Sequence, residues 1–163
     1  GGLNKRVVDA ALKVEGAERA SIAVVGQQGA DYLRNLGRDF HSMPSDVSTK
    51  HAFESAVTVR DYIVRRSLEE GYGRFIVVYP RPLSFIVQSV ETLPLLPCEE
   101  LLFMERIQIQ KRRAILEPRE AVIVDSSPEN LIEYLVSLWI SEKLLEVFED
   151  SRQAELSAKA MRL

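Results

Sequence analysis

The chain has little of what most quickly betrays function. Of its 163 residues one is cysteine, one is tryptophan and two are histidine. A single thiol, Cys98, excludes an intrachain disulfide framework and a thiolate metal cluster. The two histidines, His41 and His51, lie ten residues apart without matching carboxylates, and they read as surface residues rather than metal ligands. Positive charge is not in excess: the net charge is -3 and the pI about 5.5, so nucleic acid is not an expected partner. No apolar run approaches the roughly 18 residues that cross a bilayer. The opening Gly1-Gly2-Leu3-Asn4 lacks both a signal-peptide pattern and an initiating Met, so the chain is expected to be a piece of something longer or to have had its first residues removed.

What remains is an ordinary globular composition, 46% hydrophobic and 28% charged, on a chain long enough for one domain with its own core. Periodicity sets out the elements. Leu3, Val7, Val8, Ala11 and Leu12 recur at helical spacing over residues 4–14, stopped by Gly16. Residues 21–25 read as a short buried strand, 30–36 as a short helix closed by Gly37, and 38–44 as loop. A long helix over 45–70 carries Phe53, Ala56, Val57, Arg60, Ile63, Val64 and Leu68 on one stripe and ends at Gly71.

Strands follow at 75–79 and 85–90, with a turn forced between them by Pro80-Arg81-Pro82. Residues 93–97, Leu-Pro-Leu-Leu-Pro, must be extended. Residues 107–110 and 121–124 read as a further hairpin. Ser127, Pro128 and Glu129 open a final helix: N-cap, first-turn proline, then an acid that suits the dipole. Over 131–148 this helix is apolar nearly all round and should be buried. From Glu149 it turns polar, with a narrow stripe at Ala154, Ala158 and Met161 and a Glu155–Lys159 pair four apart, and no stop signal closes it. Strands alternating with helices give an α/β fold, a Rossmann-like three-layer domain with a mainly parallel sheet. The expected organisation is a globular part over 1–148 and the start of a protruding helix over 149–163.

The strongest candidate for chemistry is Val24-Val25-Gly26-Gln27-Gln28-Gly29, a strand, a glycine turn and a helix start. A phosphate loop of the Walker type needs a Lys-Ser/Thr pair after its last glycine; Ala30-Asp31 stands there. The dinucleotide fingerprint needs three spaced glycines, and there are two. Asp31, expected in the first helical turn, would repel an anion. The stretch reads as a structural turn. The alternative is a free-standing α/β nucleotide-binding or enzymatic domain that uses this loop. Glu69-Glu70 and Glu99-Glu100 sit beside turns as solvated charge. Arg106, Lys111, Arg112 and Arg113 form the one basic cluster. Alternation places Arg106, Gln108, Gln110 and Arg112 on one strand face, which reads first as a solvated hairpin face and second as a surface for lipid headgroups or an acidic partner. No arrangement implies a catalytic residue, a cofactor or a metal.

Taken in order, these motifs resemble the globular portion of the gamma subunit of rotary F-type ATP synthases. Gly1-Gly2-Leu3-Asn4 is similar to that family's glycine-rich stretch after its first strand. Val24 to Leu33 looks like its strand, glycine turn and aromatic pair. Gly71, Tyr72, Tyr79, Ser84, Gln88, Leu95, Leu96 and Pro97 hold the positions of its strongest block, and Ser151, Glu155 and Ala158 match its C-terminal motif, with Lys159 where Arg is usual. Departures are Pro80 and Pro82 in the turn, Gln153-Ala154-Glu155 in place of Ala-Ser-Glu, and 98–120, which follows no pattern of the family.

The resemblance implies a non-catalytic central-stalk component that links a proton- or sodium-driven membrane ring to a catalytic head, in ATP synthesis and hydrogen ion transport. Its partners would be the alpha and beta subunits of the head, the epsilon subunit and the rotor ring. It would sit peripherally on the cytoplasmic face of the inner (plasma) membrane. Expected partner contacts are Glu99, Glu100, Arg106, Lys111, Arg112 and Arg113 near the ring, with Glu155 and Lys159 on the shaft helix. The family's first strand and long N-terminal helix are not in this chain. The bare sheet edge this would leave is expected to make the isolated chain dimerise in part.

Overall fold

In the computed structural model, residues 2–43, 51–97 and 128–160 are described. The order is α1 (Gly2–Leu12), a 3-10 turn (Ala17–Arg19), β1 (Ala23–Val25), α2 (Gln27–Asn35), β2 (His41–Met43), α3 (Ala52–Glu70), β3 (Phe75–Pro82), β4 (Gln88–Leu96) and α4 (Pro128–Ala160). The expected hairpin over 107–124, Cys98 and Ser127 lie outside the described residues, as do 44–50 at the expected start of the long helix.

The sheet differs from the expected one. β1 pairs with β2 in parallel, Ala23 opposite His41 and Val25 opposite Met43. β3 pairs with β4 antiparallel, Phe75 opposite Leu96 and Pro82 opposite Gln88. Among the described residues these are two separate two-stranded ladders, so the fold is mixed α/β rather than mainly parallel. β2 occupies what reads in the sequence as loop; three residues, His-Ser-Met, are too few to show a period. The Pro-Arg-Pro stretch continues β3 instead of turning it. Prolines two residues apart lack their donors on the same side of a strand, so the ladder to β4 survives when that side faces away. The turn comes later, at 83–87, and Leu-Pro-Leu-Leu falls inside β4.

One core ties the hairpin to the helices. Ala56, Val59 and Ile63 of α3 meet Leu95 of β4 and Ile140, Leu144 and Phe148 of α4, with Met43 of β2 and Ala52 at the margin. Leu95, Ile140 and Leu144 are the largest side chains shut off from solvent. Arg60 on α3 donates to the Ser141 hydroxyl on α4 at 3.2 Å, a polar rivet beside this seam. Gly71 closes α3 in the left-handed conformation, φ 72°, as its position predicts.

α4 runs unbroken for 33 residues, with Pro128 at its first position. It is not buried all round. Tyr134 and Leu138 are exposed, whereas Ile140, Leu144, Val147, Phe148 and Ala154 are buried. Those positions fall on one helical stripe, so a single face meets the domain. The apolar residues opposite it are left to solvent.

Candidate functional site

The glycine turn is the first place to look for chemistry. Gly26 has φ 103°, a conformation costly for any residue with a Cβ, and it lets β1 pass directly into α2. A Cβ on Gly29 would stand 3.0 Å from Val24 Cγ2, so this glycine exists to let helix and strand approach. α2 begins at Gln27 rather than at Ala30, which places Asp31 beyond the first turn.

The polar groups around the turn are already spoken for. The Asp31 carboxylate accepts from Gln27 Nε2 and from Arg34 Nη1, each at 2.7 Å. Gln28 accepts from Asn4 Nδ2 on α1. The Tyr32 hydroxyl donates to Asp9 on α1 at 3.0 Å; desolvation first, then that carboxylate, raises the phenol above its ordinary range. These contacts fasten α2 to α1. The nearby basic side chains have neighbours of their own, Arg34 on Asp31 and Lys5 over the Tyr32 ring at 5.9 Å from its centroid.

Each histidine has a side-chain neighbour. His41 stacks on Tyr62 with ring centroids 5.0 Å apart, and His51 lies 3.0 Å from Glu54 one helical turn on. No group of three metal-capable side chains occurs among the described residues. Of the expected partner contacts, Glu99, Glu100, Arg106, Lys111, Arg112 and Arg113 lie outside the described residues. Glu155 is half-buried on α4, and Lys159 is exposed in its last turn, where a cation suits the helix dipole.

The surface that stands out is one the sequence hides. The β3–β4 tip exposes Leu83, Phe85, Ile86 and Val87 together, Phe85 at 92%. Its backbone is well satisfied. Leu83 and Ser84 donate N–H groups to the Val87 carbonyl at 2.9 and 3.1 Å, and the Ser84 hydroxyl accepts from the N–H groups of Ile86 and Val87. The result is an ordered apolar knuckle. Residues 85–90 read as a strand because an apolar run looks the same at a tip as in a ladder. The register, with Pro82 opposite Gln88, shows that 85–87 belong to the turn and 88–90 to β4.

Midway along β3, Tyr79 lies near Asp150 of α4. Burial chiefly, and then the Asp150 carboxylate, raise its phenol, with Arg81 opposing. Arg81 in turn approaches Asp150 at 3.9 Å. Among the described residues no helix is long and apolar enough to cross a membrane.

Comparison with known proteins then supplies what no cluster of side chains does. Residues 1–163 match a family model described as ATP synthase. An ATP synthase gamma chain from Alkaliphilus metalliredigens is 25% identical over 159 residues, which cover 97% of this chain and 53% of that protein. One from Staphylococcus aureus (strain JH9) is 26% identical over 98 residues, 60% of this chain and 34% of the other. A chain in the cryo-EM structure of the central stalk and c-ring of the Tetrahymena thermophila mitochondrial ATP synthase has a similar fold, with a TM-score of 0.67 at 19% identity. That likeness covers 99% of this chain and 69% of the other. The chain thus spans about half the length of the first of these relatives.

Proposed function

Because this chain belongs to the ATP synthase gamma-chain family, we propose that it forms the foot of a central rotor stalk and does no chemistry of its own. The observation that carries this reading is α4. A helix of 33 residues is about 50 Å long. Its buried stripe, from Ile140 to Ala154, uses less than half of that length to grip β4 and α3. An element so anchored at one side and so long can pass torque from a globular base into a shaft.

In this reading the base meets a membrane rotor ring and an epsilon-type subunit, and the shaft meets the alpha and beta subunits of a catalytic head. The protein is peripheral, at the cytoplasmic face of the inner (plasma) membrane. The cluster Arg106, Lys111, Arg112 and Arg113, with Glu99 and Glu100, faces the ring loops and headgroups, and Glu155 and Lys159 belong to the shaft side.

Calorimetric titration with the epsilon-type subunit of the same source tests the reading. Saturable one-to-one binding is expected. Absence of binding both to this chain and to the longer gamma chain that contains it would overturn the assignment. Replacing Arg112→Glu together with Arg113→Glu should weaken association with the isolated ring; unchanged association would remove that cluster from the ring-facing surface.

A further inference from the structure

We draw no further inference here: the strongest candidate, the apolar knuckle of Leu83, Phe85, Ile86 and Val87 at the tip between β3 and β4, carries nothing because its flanking cation, Arg81, already lies against Asp150 and nothing in the structure shows what covers the exposed side chains.

Discussion

The glycine turn at 26–29 and the hairpin tip at 83–87 are both turns between regular elements, and they use opposite chemistry. The first carries two glutamine amides with Asp31 close behind, and it resembles a ligand loop until its partners are traced. Asp31, Gln28 and Tyr32 all bond to neighbours within α1 and α2. The second has no charged residue between Arg81 and Glu91, and its apolar side chains meet solvent. A polar loop whose groups satisfy one another is scaffold. An apolar loop with an internally bonded backbone and exposed side chains is a candidate contact surface. What separates the two is unmet demand rather than likeness to a motif.

The comparison breaks most easily at the base they share. Leu95 is fully shut off from solvent where β4 meets α3 and α4. Leu95→Ala should cost about 2–5 kcal/mol, the range for a leucine cavity in a core. Urea unfolding followed by circular dichroism would read it. A loss under about 1 kcal/mol would mean that the seam closes over the cavity and the core is less tightly packed than described.

A smaller effect probes the turn. Gly26→Ala forces a Cβ into φ 103° and should destabilise by about 1–3 kcal/mol, although open space surrounds the site. ATP, ADP and NAD should leave the melting temperature of parent and variant unchanged. A nucleotide present at about 100 times its dissociation constant would stabilise by about 2.7 kcal/mol, so a real site could not be missed. Stabilisation of the parent that Gly26→Ala removes would make the turn a ligand loop after all.

Phe85→Ser should be nearly silent for folding, within about 0.5 kcal/mol, because so little of the ring is buried. If the tip is a contact surface, the same change should weaken whatever association the assembled stalk makes there, measured against parent protein in ring or epsilon pull-downs. Stability that falls by more than about 1 kcal/mol would show that the ring packs on the domain and is not free for a partner.

Much of this was legible in the sequence, for physical reasons that differ by element. α3, its glycine cap and the start of α4 follow from helical spacing and from the residues that terminate helices. The expectation that the glycine turn is structural rests on what does not accompany it: no Lys-Ser/Thr pair and no third glycine. The burial of α4 on one face did not follow, because Tyr134 and Leu138 have the same apolar character as Ile140 and Leu144. Sequence records composition, but which side of a helix finds a partner is settled by distant elements. The strand ends at 80–96 failed for a related reason. Proline was read as a stop, whereas two prolines on one outward side of β3 leave its ladder to β4 whole.

The smallest predicted effect concerns the middle of β3, where Tyr79 lies near Asp150 of α4. Burial and that carboxylate raise the folded-state phenol above the unfolded value of about 10. Between the two values the folded state holds a proton that the unfolded state has released. The resulting stabilisation is therefore fully present below about pH 10 and is lost as pH rises through the folded value. Tyr79→Phe cannot titrate, so its stability should decline less steeply above pH 10 than that of the parent, with near-identical slopes at neutral pH. Asp150→Asn should soften the same decline by a smaller amount, because the carboxylate is the second cause and burial the first. Paired denaturant titrations across the alkaline range read both. An effect of Asp150→Asn as large as that of Tyr79→Phe would make charge the main cause at this contact and burial the minor one.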